Sequence, residues 1–137
     1  MKWYQNMHLG SLVFRLLMGC AYLLHGYPKL AGGPERWSKI GSAMSNLGID
    51  FAPEFWGLCA ALAEFGGGLL LITGFLFRPA CLVLMFTMFV AALQKYITGT
   101  GVFLDWSYPA ELCAVLLAFF FIGAGDYTLK NLLTKKT

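Results

Sequence analysis

Four stretches of this chain are too long and too apolar to be read as anything but spans of a lipid bilayer. They run about 9–27, 55–77, 79–97 and 108–125 and take up most of the 137 residues. A membrane helix needs about 20 mainly apolar residues, and backbone surrounded by lipid must satisfy its own hydrogen bonds. The expected fold is therefore all-α: a single membrane domain over 1–137, built as an antiparallel four-helix bundle. Composition agrees, since charged residues are 12% of the chain against about 25% in soluble domains. So few charges cannot cover the surface of a soluble globule of this size.

Only a few residues separate the second and third spans, which must then form a hairpin. Pro79 suits the first turn of its helix, where a missing N–H costs little. The longer connection after span 1 has its own pattern. Gly32-Gly33 breaks the chain, Pro34 and Glu35 suit a helix start, and Gly48 suits an end. Trp37, Ile40, Met44 and Leu47 recur at three- and four-residue steps opposite Arg36, Ser38, Lys39, Ser42 and Asn46. The pattern predicts a short amphipathic interfacial helix over 34–47, lying on the membrane or capping the bundle. Leu17-Met18-Gly19-Cys20 has the look of a lipoprotein cleavage box, but Arg15 interrupts the apolar run and the run continues past Cys20. The segment is expected to stay as a span.

Four spans place both termini on one side. Lys2, Arg15, Arg78, Lys130, Lys135 and Lys136 fall there, against Lys29, Arg36, Lys39 and Lys95 on the other. The excess of positive residues predicts cytoplasmic termini. Trp37, Trp56, Trp106, Tyr96 and Tyr108 then mark the outer interface, and Trp3, Tyr4 and Tyr127 the inner one. The basic tail, Lys130 with Lys135 and Lys136, suits contact with anionic lipid. No basic stretch is interleaved with aromatics, which argues against nucleic acid as a partner.

The informative residues are the polar ones inside spans. An ionisable group near the bilayer centre costs at least about 2.5–3.5 kcal/mol and persists when paired, hydrated or useful. On span 1, Arg15, Tyr22 and Lys29 are seven apart and share a face, with His25 bordering the stripe. On span 2, Glu64 is flanked by Gly57, Ala60, Ala61, Gly67 and Gly68, and small residues at such spacing let helices approach. Glu64 is thus expected to point into the bundle. Gln94 and Lys95 close span 3, and Glu111 opens span 4. His25, Lys29, Glu64, Gln94, Lys95 and Glu111 form an outer polar layer, with Tyr22 on the same stripe. Arg15, Arg78, Asp126 and Lys130 form an inner one, in which Arg15, Arg78 and Asp126 are expected to serve structural ion pairing. The bland alternatives are snorkelling of Lys29 and Lys95 to the surface and an interfacial His25 without chemistry. Pro28, in the stretch HGYPKL at 25–30, removes a hydrogen bond to Leu24 and is expected to kink the helix.

Each span carries one cysteine. There is no C-x-x-C and no metal spacing, so no metal site is expected. Cys59 and Cys113 fall at similar depth and could face each other, although free cysteine commonly packs as a small hydrophobe. No nucleotide loop, axial haem pair or Ser/His/Asp set is present, and no catalytic residue is assigned.

Three groups of residues resemble the DoxX family. They are Arg15-Leu16-Leu17-x-Gly19 with His25-Gly26-x-x-Lys29-Leu30; Glu64 to Leu71 with Gly74 and Arg78; and Glu111 with 123–129. The resemblance spans nearly the whole chain. It implies a small four-helix protein of a bacterial or archaeal cytoplasmic (inner) membrane, associated with redox complexes and with oxidative or thiol stress. The expected function is that of a subunit of a redox system, accessory to a quinone-linked oxidoreductase. It would bind a quinone or similar molecule at His25, Lys29, Glu64, Gln94, Glu111 and Tyr22, with proton-relay roles for the carboxylates. Electrons would need a redox partner protein or a cofactor, and a homo-oligomer is a further assembly left open. A scaffold or assembly subunit of such a complex is the alternative, and a small-molecule transporter a third.

Overall fold

The computed structural model describes residues 5–134. Lys2, Trp3, Tyr4, Lys135 and Lys136, placed above at the inner interface or in the basic tail, lie outside the described residues. The described residues are mostly helical: α1 (Met7–Ala31), α2 (Gly33–Gly41), a 3-10 turn (Ser42–Leu47), α3 (Pro53–Thr73), α4 (Phe77–Thr98), α5 (Phe103–Ile122) and α6 (Leu129–Thr134). Helices α1, α3, α4 and α5 are each long and apolar enough to cross a membrane.

The spans differ from the apolar runs in instructive ways. Helix α1 does not stop at Tyr27 but continues through HGYPKL to Ala31, with Pro28 inside it. One missing N–H removes one hydrogen bond and does not end a helix otherwise able to continue. Helix α3 ends at Thr73 rather than 77, because Gly74 takes a left-handed conformation (φ 70°) and its amide caps the carbonyls of Leu70 and Leu71. The turn is apolar, so hydropathy cannot see it. Helix α5 begins at Phe103, five residues earlier than its most apolar part, and ends at Ile122.

The four spans pack in the order α1, α3, α4, α5, each antiparallel to its neighbour, with α2 against α3. Helix α1 turns Ser11, Arg15, Gly19, Tyr22 and Gly26 inward, a stripe of four- and three-residue steps. Its contact with α3 is backbone on backbone. A Cβ at Gly19 would stand 2.8 Å from the Gly68 carbonyl, and one at Gly26 would stand 2.6 Å from the Phe65 amide. Small residues permit such approach in lipid, where packing replaces the hydrophobic drive. The core among α1, α3, α4 and α5 is built on Tyr22, Leu71, Phe77, Cys81, Leu84, Met88 and Leu116.

The segment after α1 is a cap on the bundle and not a single helix over 34–47. Helix α2 gives way at Gly41 to the 3-10 turn, where residues three apart eclipse. Ala43 and Met44 are buried against Val90, Ile49 and Trp56, and Asn46 reaches Gln94. Leu47 stays at the surface. Trp37 Nε1 donates to the Lys29 carbonyl at 3.0 Å, which ties α2 to the end of α1.

Backbone contact also fixes this cap. A Cβ at Gly57 would fall on the carbonyl of Trp37, and one at Gly41 on that of Pro53. Gly57→Ala should therefore lift α2 from α3 and cost at least about 1–3 kcal/mol. The measurement is the melting temperature in detergent together with protease cleavage within 33–47. An unchanged melting point with no new cleavage would mean that α2 does not depend on this contact.

Candidate functional site

Two ends of the bundle carry its polar groups: the end where α6 and the start of α1 lie, and the end covered by α2. At the terminal end, Arg15 is 1% exposed. Its guanidinium makes no ion pair among the described residues. Nε donates to the Leu71 carbonyl (2.8 Å), one terminal nitrogen to Ile72 (2.8 Å) and the other to Ala124 (3.0 Å) and Tyr127 (2.8 Å). Leu71 and Ile72 are in the last turn of α3, where Leu71 has only the long contact from the Gly74 amide (3.2 Å) and the carbonyls carry the negative end of the helix dipole. A Cβ at Gly74 would stand 2.7 Å from the guanidinium carbon, so this glycine supplies both the turn and the room.

The inner layer is thus not the ion-paired set expected. Arg78 donates from Nε to the Phe120 carbonyl (3.3 Å), and Asp126 lies 3.5 Å from His8 Nδ1. Backbone carbonyls freed by helix ends and by the 123–128 turn are the nearest acceptors, and the two arginines take them. Lys130 lies on the exposed α6.

At the covered end, Lys29 Nζ lies 2.6 and 2.7 Å from the two carboxylate oxygens of Glu64. Glu64 is 2% exposed. The added turn of α1 past Pro28 is what carries Lys29 to this carboxylate. The pair stands between two cavities. One is about 630 Å3, lies between α3 and α4 beneath α2 and the 3-10 turn, and is walled mainly by apolar residues. Its polar groups are the Lys29–Glu64 pair, Gln94, Lys39, Lys95, Thr87 and the Trp56 edge. Trp56 Nε1 is buried with no hydrogen-bond partner among the described residues. Leu82, Val83 and Phe86 on its α4 wall are exposed, and in a membrane bundle such residues face lipid. The cavity is therefore reached from the bilayer side.

The other cavity is about 180 Å3, between α1, α4 and α5, and contains Tyr22, His25 and Tyr108. Lys29, Glu64, Ala91 and Lys95 line both. The predicted site is thus divided. Gln94 belongs to the large cavity, Tyr22 and His25 to the small one, and Lys29 and Glu64 to both. Glu111 lines neither; it is exposed on α5. Its helix starts earlier than the apolar run implied, so depth alone does not tell which face it takes. The cysteines are all free among the described residues. Cys113 donates to the Met85 carbonyl at 3.3 Å, whereas Cys59 lines the large cavity. Trp56 carried no signal in sequence beyond an interfacial tryptophan.

The pattern of an arginine and a lysine on α1 and a buried glutamate on α3 lies within the segment matched by the family model for DoxX, residues 10–98. This match covers more than half of the chain. The chain belongs to the DoxX family. A relative from Escherichia coli (strain K12), "Inner membrane protein YqjF", is 31% identical over 130 residues, covering 93% of this chain and 95% of the relative. No solved structure matches. The family match ends with α4, so α5, which supplies one wall of the small cavity, lies beyond it, while the alignment with the relative extends over most of the chain. In this DoxX-family chain the matched segment holds the ion pair and the whole lining of the large cavity.

Proposed function

We propose that this DoxX-family chain is an inner-membrane protein that binds a lipophilic ring molecule of the quinone class in the cavity between α3 and α4, as a subunit of a redox system. The observation that carries the proposal is the cavity's make-up. It is a lipid-accessible apolar pocket of ligand size, with a buried, unpartnered indole N–H and a fixed ammonium–carboxylate pair on its walls. Binding sites for small molecules combine such apolar walls with a few convergent polar groups. Trp56 Nε1 and Lys29 are donors for a ring carbonyl, Gln94 adds an amide, and Glu64 is a carboxylate able to hold a proton beside the ring. The inner-membrane location follows the printed name of the relative. A quinone would supply the electron-carrying ring; electrons would pass to or from a partner protein.

The test is binding of a short-tailed ubiquinone analogue to the purified protein in lipid nanodiscs, read by quenching of tryptophan fluorescence. Saturable quenching is expected. Ala60→Phe, which fills the cavity, and Trp56→Phe, which keeps the ring but removes the N–H, should each weaken binding by about tenfold. His25→Ala should leave it unchanged, because His25 lines only the other cavity. Equal affinity in Ala60→Phe and wild type would overturn the site.

A further inference from the structure

The small cavity differs in kind from the large one. Tyr22 lines it and is 3% exposed. Its hydroxyl has no hydrogen-bond partner among the described residues. So deeply buried a hydroxyl is costly unless something in the cavity bonds to it. The charged groups that line it are two ammoniums, Lys29 and Lys95, and one carboxylate, Glu64. Glu64 has both oxygens on Lys29, whereas Lys95 makes no ion pair among the described residues. Asp105, on the neighbouring helix and outside the cavity lining, has its Oδ2 on the Thr100 amide and hydroxyl and acts on Lys95 only through space. His25 and Tyr108 add two more hydrogen-bonding groups to the lining. One hydroxyl without a partner, one ammonium in excess over the carboxylate of the lining and a volume for a few heavy atoms with water describe a site for a single negative charge borne on oxygen.

We propose that the cavity between α1, α4 and α5 binds a small oxyanion group, a carboxylate or phosphate, through the Tyr22 hydroxyl and the Lys95 ammonium. This site stands on residues that the quinone-class reading does not use, apart from the Lys29–Glu64 wall, Ala91 and Lys95 common to both cavities. The group could arrive as a free anion from water or as the headgroup of an anionic lipid, since the aromatic cluster of Tyr96, Phe103 and Trp106 marks this end as interfacial.

The full chain in phosphatidylcholine nanodiscs is titrated with acetate or phosphate at constant ionic strength, with chloride as the control. A second set of discs contains phosphatidylglycerol. The readout is the thermal unfolding midpoint. A ligand of the folded state raises it saturably, and chloride should not reproduce the rise. Tyr22→Phe and Lys95→Met should each raise the half-saturating anion concentration by about tenfold or more, as expected for loss of a hydrogen bond to a charged group. A rise in phosphatidylcholine discs with free anion assigns the ligand to solution; a rise only with phosphatidylglycerol assigns it to lipid. No rise in either disc would overturn the proposal. So would a rise that Tyr22→Phe leaves intact, which would be general surface charge. A Tyr22→Phe effect on the midpoint that is the same at every anion concentration would mean that water alone satisfies the hydroxyl, and would also overturn it. Lys95 is exposed, so Lys95→Met folds and decides the matter if Tyr22→Phe does not.

Discussion

Arg15→Leu should leave no folded bundle: in mild detergent the variant is expected to aggregate near room temperature, while Arg15→Lys folds with a clearly lowered melting point. The reason is that one guanidinium on α1 serves four carbonyls on two other segments, the end of α3 and the 124–127 turn. Each hydrogen bond to a charged group contributes about 1.5–3 kcal/mol. The four do not simply add, because the leucine variant also escapes the cost of burying a charge. Yet a leucine side chain in the same buried place offers these carbonyls no donor, and each buried acceptor left unsatisfied costs about 1–3 kcal/mol. A protein's whole stability is about 5–15 kcal/mol, so even part of this loss is decisive. Lysine keeps the charge at the end of α3 but concentrates three donors at one point. It can serve Leu71 and Ile72 or the 124–127 turn, and not both with equal geometry. Size-exclusion chromatography after a temperature series gives the ranking. A leucine variant that melts with the wild type would show that the carbonyls find other partners and that Arg15 is not the tie.

How far this was legible in sequence depends on which physical signal carried each feature. The spans, the inward stripe of α1 and the inward direction of Glu64 follow from apolar length and helical period, and these are strong signals. Lys29 and Glu64 appeared at one depth because both positions were counted along helices. What the counting could not show was the partner. Arg15 looks like half of an ion pair because carboxylates are visible in a sequence. The carbonyls that bind it are not, since they become acceptors only where Gly74 ends α3 and Gly123 and Gly125 turn the chain after α5. The same holds for the split between cavities. Tyr22, His25, Gln94 and Glu111 all lie near the depth of Glu64, but depth fixes one coordinate only. Rotation of α5 about its axis sets Glu111 outward, and the near-uniform apolarity of that helix leaves no stripe from which to read it. Trp56 passed for an interface anchor because an indole N–H without a partner is a property of packing.

Breaking the Lys29–Glu64 pair should be the second most damaging change, and the two ways of breaking it should differ. Lys29→Met strands a carboxylate that is 2% exposed. Removing one member of a buried pair costs about 3–5 kcal/mol, and this variant should reach that range. Glu64→Gln strands the ammonium instead, but the Lys29 side chain is 30% exposed and its stem can carry the charge toward the interface. That variant should lose less. The double variant Lys29→Met/Glu64→Leu removes both charges, and replacing a buried pair with apolar residues is commonly neutral or stabilising. It should melt above Lys29→Met and near the wild type. Strictly additive losses across the four proteins would show that the pair is not what makes Glu64 tolerable in the bundle. The double variant also separates stability from ligand binding. If the pair serves only to hold α1 against α3, a well-folded double variant should quench with the quinone analogue as the wild type does. If the ammonium and carboxylate contact the ring, the same protein should keep its melting point and lose the quench. That second outcome is the one expected, because the pair faces both cavities and a pair kept for packing alone would have no reason to line either.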